Sequence, residues 1–277
     1  MRRPKPVCTS VTKFGETVNE DAVLARNRLI AVSDGAGGGG VYAERWSHYL
    51  LEKLPDEPIE TFEDLDAWVE RIWEPFYNEH EELAKRQGGM FLDKFYDEGS
   101  FATLAAAWQV SAEECKWMCY GDSVVFCYHE DTGELQHSFT KLVDFNRPPY
   151  LINFKDSLNA EGFRAGTFHI SPQSVVFVTS DTLAHYILMM YKVAHRDKYG
   201  EELVEAVNAQ TKDSNFIKAA LALKKIDFHK DVVKKLIHCA GHTDNFRRFA
   251  ETRVKKGLLG IDDYSIAMRS NNFTKRF

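Results

Sequence analysis

Apolar and polar positions alternate along this chain with two periods. Short apolar runs bounded by turn residues predict strands at 22–33, 101–110, 115–121, 123–129, 174–180 and 264–270. The first, "AVLARNRLIAVS", is interrupted by Asn27-Arg28 and folds back as a hairpin. "EDTGEL" at 130–135 predicts a second turn, with glycine supplying a positive φ. Helical spacing appears at 42–54, 61–87, 182–196 and roughly 201–257. The 61–87 segment opens with Thr61 and Asp64 as an N-cap pair. Its stripe of Leu65, Trp68, Ile72 and Phe76 belongs in a core, and Pro75 is expected to kink or divide the helix. The 201–257 stretch shows no legible chemistry, and packing outside a sheet is its default role. Strands cluster early and in the middle, with helices between and after them. That order predicts an α+β fold with mainly antiparallel pairing. No repeat, low-complexity tract or long linker divides the 277 residues, so one domain over 1–277 is expected.

Composition narrows the class. Hydrophobic residues make up 44% and charged residues 27%, enough for a globular core. The net charge of -6 argues against a nucleic-acid partner, which calls for a basic stripe. The basic "RVKKG" at 253–257 reads as a solvated helix end. No apolar run nears the ~20 residues that span a bilayer, so no membrane partner is expected. The N-terminal segment lacks the apolar stretch of a secretory signal. The five cysteines form no C-x-x-C pair and read as free thiols of a cytoplasmic protein. Cys115 and Cys119, four apart in a predicted strand, share one face.

The acidic residues then change the picture. With the hairpin centred on Asn27-Arg28, Leu24 faces Ala31, and the same register sets Asp21 opposite Asp34. Directly opposed residues have Cβ atoms about 4.5–5.5 Å apart, where two carboxylates repel. A cation between them would relieve that repulsion. Asp34 and Asp181 stand at strand ends, Asp21 and Asp262 at strand starts, and Asp122 sits between two predicted strands. In antiparallel neighbours, starts and ends share one edge, so these carboxylates converge on one rim. Oxygen ligands without His or Cys suit Mg²⁺, Mn²⁺ or Ca²⁺. Aspartate is also common at strand ends because it favours turns. The run "DGAGGGG" at 34–40 lacks the Lys-Ser/Thr of a P-loop and the spacing of a dinucleotide turn. Its glycines suit close approach of backbone to a site, and Gly35 lets a carbonyl turn toward a cation.

"NED" (19–21), "SDGAGG" (33–38), "GSFAT" (99–103), "YGDS" (120–123), "VTSDTL" (178–183) and "DDYS" (262–265) occur in this order. At these residues the sequence resembles the metal-dependent type 2C protein phosphatases, over about residues 10 to 270. The resemblance implies an αββα sandwich of two antiparallel sheets with helices outside, and a two-ion Mg²⁺ or Mn²⁺ site between the sheets. It makes Asp34 the catalytic carboxylate bridging both metals. Asp181 and Asp262 become ligands of the first metal, Asp21 and the Gly35 carbonyl the shell of the second, and Asp122 a ligand of a third, looser one. It implies attack of a metal-bridging water on phosphoserine or phosphothreonine of a protein substrate, with no covalent intermediate. The chain departs from the pattern at Glu16, where many members carry a phosphate-gripping Arg. Neither Lys13 nor Arg45 is assigned that task, so the phosphate-binding residue is unknown. Ala36 replaces a His found after Asp-Gly in some members. Thr182 replaces the usual Gly, and His185 stands where a further acid is frequent and reads as a surface or packing residue. The segment 140–170, with "NRPPY", corresponds to the family's variable flap. Glu16 and Thr182 keep open a phosphatase-like regulatory or binding module of weak turnover, and a hydrolase of small phosphoesters is a third reading.

Overall fold

The period-2 pattern is resolved into two faces per strand in a computed structural model, which describes residues 5–38 and 40–270. One sheet orders β1 (Val7–Val11), β12 (Tyr264–Ser270), β11 (Ser174–Thr179), β7 (Val124–His129) and β8 (Leu135–His137). The other orders β10 (Phe163–His169), β6 (Glu114–Tyr120), β5 (Leu104–Gln109), β3 (Leu29–Ser33) and β2 (Ala22–Ala25). A short ribbon pairs β4 (Phe101–Ala102) with β9 (Ile152–Asn153). Every pairing is antiparallel.

Alternation sorts the side chains into three layers. Ile30, Val32, Ala105, Ala107 and Cys119 of one sheet meet Val125, Cys127, Val176, Val178 and Ala267 of the other in the middle layer. These residues are mostly small, so the sheets approach closely. Cys115 joins this layer on the face shared with Cys119, and all five cysteines are free thiols. The opposite faces carry larger residues. Leu104, Ala106, Trp108, Met118 and Tyr120 pack under α1 (Ala43–Lys53), α2 (Phe62–Gln87) and α3 (Gly89–Asp97). Phe126, Phe177, Ile266 and Met268 pack under α4 (Asp181–Ala194), α5 (Arg196–Asn208), α6 (Lys212–Leu221), α7 (Lys234–Cys239) and α8 (Thr243–Lys255). The result is an α+β sandwich with helices on both outer faces. Among the described residues no helix is long and apolar enough to cross a membrane.

Thr61 caps α2 as expected, accepting from the Asp64 backbone N–H at 3.1 Å. Leu65, Trp68 and Phe76 are buried in the core. Pro75 does not divide the helix, which runs through it over 26 residues. Packing of Trp68 and Phe76, and the Tyr49 hydroxyl donating to the Ile72 carbonyl at 2.8 Å, support the turn that proline weakens. The segment 140–170, expected as the variable flap, is built around regular elements. It contains β9 and β10, and β10 forms the edge of the second sheet along β6.

His137 lies on β8 with its Nδ1 buried and unpartnered. Burial, and then the Lys192 ammonium, push its pKa down to about 4. The folded protein therefore resists protonation that the unfolded chain accepts near pH 6.5. Stability is held above that pH and lost as pH falls toward 4. Between pH 7.5 and 4.5, His137→Gln should lose about 1–2 kcal/mol less unfolding free energy than the parent. Paired urea titrations measure this, and equal losses in both proteins would remove His137 as a cause.

Candidate functional site

The β2–β3 ladder runs from Ala25↔Ile30 to Ala22↔Ser33, the register expected from the sequence. Asp21 and Asp34 are the next residues outward on the two strands. Asp181 follows β11 after Ser180 and begins α4. Asp262 precedes β12, whose Ile266 pairs with Thr179 of β11. Asp122 sits in the β6–β7 connection, which crosses from one sheet to the other. All five carboxylates thus stand at one edge of the sandwich. Asp21 and Asp122 are buried, while Asp34, Asp181 and Asp262 keep part of their surface open.

Their charges are felt mutually. Burial first, then repulsion from Asp21, Asp181, Asp122 and Asp262, hold the Asp34 carboxyl well above the usual range. Asp181 is raised well above it by burial and by Asp122 and Asp262. Burial pushes Asp21 up to about 7, with Asp263 adding to the rise and the Ser265 and Ser180 hydroxyls opposing it. Asp122 is pushed up to about 6 by burial, against the nearby Arg164 cation. Asp21 Oδ2 is buried without a hydrogen-bond partner. An orphaned carboxylate oxygen among repelling carboxylates is the donor chemistry that a hard divalent cation satisfies. The cage is not ready-made, however. Among the described residues no group of three or more His, Cys, Asp or Glu side chains could hold a metal ion as it stands.

The backbone around Asp34 is held from both sides. The Thr103 N–H donates to the Asp34 carbonyl at 2.8 Å, and Thr103 Oγ1 accepts from the Asp34 N–H at 3.2 Å. Thr103 Oγ1 also meets Ser123 Oγ at 2.8 Å, tying the Asp34 strand end to the Asp122 turn. The glycine run is a close-approach loop. A Cβ at Gly35 would lie 2.6 Å from the Glu20 carbonyl and 2.8 Å from that of Ala43. A Cβ at Gly40 would lie 2.5 Å from the Gly99 carbonyl. Gly39 lies outside the described residues.

Two residues that the sequence reading passed over prove central here. Asp263 is buried and accepts from the Lys13 N–H at 2.7 Å and the Glu20 N–H at 2.8 Å, clamping the 12–20 loop beside the site. Its only sequence signal was adjacency to Asp262. Arg164, on the unforeseen strand β10, donates to the Ser138 carbonyl at 3.1 Å and the Gly121 carbonyl at 2.5 Å. The other expectations fall out plainly. Glu16 is exposed, and Lys13 lies near enough to Glu20 to act on its charge. Arg45 is taken up by Glu44 at 3.6 Å and by the Tyr42 ring. His185 is a packing residue, buried between the Phe145 and Phe216 rings and 4.0 Å from Asp213. Thr182 donates through Oγ1 to Asp262 Oδ2 at 3.2 Å.

This arrangement of two antiparallel sheets with helices outside is the fold of the type 2C serine/threonine phosphatases, and the resemblance read from the motifs holds for the architecture. Three solved structures carry the comparison. The catalytic domain of the serine/threonine protein phosphatase PstP, in complex with two manganese ions, is 17% identical and superposes with a TM-score of 0.53 over 96% of this chain and 97% of that one. The Mycobacterium tuberculosis serine/threonine phosphatase PstP/Ppp gives 16% and 0.53, over 97% and 98%. PppA of Pseudomonas aeruginosa, a key regulatory component of T6SS, gives 15% and 0.51, over 96% and 97%. No family model matches the chain. No curated relative matches it either.

Proposed function

We propose that this protein is a Mg²⁺- or Mn²⁺-dependent phosphatase acting on phosphoserine or phosphothreonine in protein substrates. The observation that carries the reading is the Asp34 carboxyl surrounded by Asp21, Asp122, Asp181 and Asp262 at the edge between the two sheets. The two manganese ions belong to the PstP structure, and they support divalent metal use here. Asp34 is assigned to both ions, Asp181 and Asp262 to the first, and Asp21 with the Gly35 carbonyl to the second. Asp122 is assigned to a third, looser ion. When bound, such ions supply charge that polarises a phosphate ester and lowers the pKa of water. The protein's own part is orientation. Thr103 and Ser123 fix the Asp34 and Asp122 backbones, Asp263 holds the 12–20 loop, and Gly35 lets the chain pass the site. The buried, unpartnered oxygen of Asp21 is the ligand atom most in need of such an ion. Five free thiols support the cytoplasm as the place of action.

One observation favours a second reading, a phosphatase-like regulatory or binding module of weak turnover. Thr182, which stands in place of glycine, already occupies Asp262 with its hydroxyl. Hydrolysis of a phosphothreonine peptide, with Mn²⁺, with Mg²⁺ and with chelator, separates the two. Turnover with either ion that chelator abolishes is expected. Absence of turnover in a protein that binds Mn²⁺ by calorimetry would establish the module instead.

A further inference from the structure

The chain's charge is unevenly divided. Residues 212–256 carry twelve Lys or Arg and five Asp or Glu, a net +7 within a chain whose total is -6, which leaves -13 for the rest. This segment is α6, α7 and α8 with their connections, on the outer face of the first sheet. Between α7 and α8 it forms a hollow of about 320 Å³. Lys234, Lys235, His238, Arg248 and Arg253 line it beside Phe249, and no carboxylate is among the lining residues. Lys234, His238 and Arg248 are exposed and enter no ion pair among the described residues. Lys235 reaches Asp231 only at 3.5 Å, with half its side chain open to solvent, a pairing of little energy. Arg253 is fixed instead of free. It stacks 3.6 Å from the Phe249 ring and donates to the Tyr186 hydroxyl at 3.3 Å and the Phe249 carbonyl at 3.1 Å. One cation is thus held rigidly at the wall while flexible cations surround the opening.

We propose that the hollow between α7 and α8 docks an acidic peptide segment of a partner protein. Charge complementarity sets the sign of the partner. The limits of the patch set its length. A long polyanion extending past this segment meets the rest of the chain, whose charges sum to -13, whereas a short acidic segment gains from the cations without that repulsion. A nucleic acid is disfavoured on the same ground. None of the carboxylates at the sheet edge lines the hollow, so its occupancy is measured without turnover and does not stand or fall with phosphatase activity.

The test is fluorescence anisotropy of a dye-labelled, glutamate-rich decapeptide against the full chain in chelator, with a twenty-nucleotide single-stranded DNA as comparison. The peptide should bind, weaken several-fold between 50 and 200 mM salt, and bind at least about 10-fold more weakly to the double variant Lys234→Glu/Arg248→Glu. Both side chains are exposed, and an unchanged melting temperature verifies that the variant is folded. Lys85→Glu, on α2 across the molecule, should bind like the parent. Failure of the peptide to bind, equal binding by parent and double variant, or tighter binding of DNA than of peptide would each overturn the proposal.

Discussion

Asp34→Asn should lower metal-dependent hydrolysis of a phosphothreonine peptide by at least about 100-fold while making the metal-free protein more stable. The two effects have one cause. Asp34 is the carboxylate on which the other four act, so its charge is opposed by its surroundings. Asparagine keeps the shape and removes the charge. With part of the residue open to solvent, the relief is about 1–2 kcal/mol, or roughly 2–6 °C in melting temperature for a chain of this size. The same substitution removes the ligand assigned to both ions, and a lost metal-centred interaction appears in kcat and kcat/KM together. Scanning calorimetry in chelator and initial rates in Mn²⁺ measure the two halves. Full turnover in the variant would end the bridging assignment. A lower melting temperature would show that Asp34 is held by favourable contacts and not strained by repulsion.

Gly35→Ala should be the most damaging single methyl at the site. The added carbon would sit 2.6 Å from one backbone carbonyl and 2.8 Å from another. Neither can swing aside as a side-chain tip would. The Glu20 carbonyl also receives the Gly35 N–H at 3.2 Å and the Ser47 hydroxyl at 2.6 Å, so moving it disturbs the 12–20 loop and α1 together. Overpacking of this kind costs about 3 kcal/mol or more. The expected drop is at least about 6 °C, with turnover lost because Asp34 is displaced. Gly38→Ala is the control, since a Cβ there meets nothing within 4 Å. If the two variants melt together, the close packing around Gly35 is not what the loop depends on.

The sequence was most legible where geometry is local. The hairpin register followed from the Asn27-Arg28 turn alone, because a period of two leaves no freedom once the turn is placed. The Asp residues at strand ends were readable for the same reason. The strands β1, β8, β9 and β10 were not. "VCTSV" mixes apolar and polar residues in a pattern that no solvent-facing alternation explains, and "FRAGTFH" carries a glycine and charges suited to an edge. Gly166 in β10 is explained only by the Trp117 ring across the ladder, 2.6 Å from where a Cβ would lie. The clamp by Asp263 joins residues about 250 positions apart, beyond any window of periodicity. The basic layer was hidden differently, because a whole-chain charge of -6 averages over two stretches of sequence of opposite net sign.

The placing of β12 has a consequence for synthesis. Every strand of the second sheet lies between residues 22 and 169, so that sheet and its helices can assemble while the chain is still being made. The first sheet can pair β11, β7 and β8 but cannot be completed, because β12 stands between β1 and β11 and is made after both. Until residue 270 leaves the ribosome, β1 has no strand partner, and the middle layer lacks Ala267 although β7 and β11 already supply Val125, Cys127, Val176 and Val178. A nascent chain stalled before residue 264 would leave two strand edges open at once, those of β1 and β11, the condition under which chains aggregate or recruit chaperones. Asp262 and Asp263 lie at the same late position, so the proposed chemistry appears only when the architecture closes.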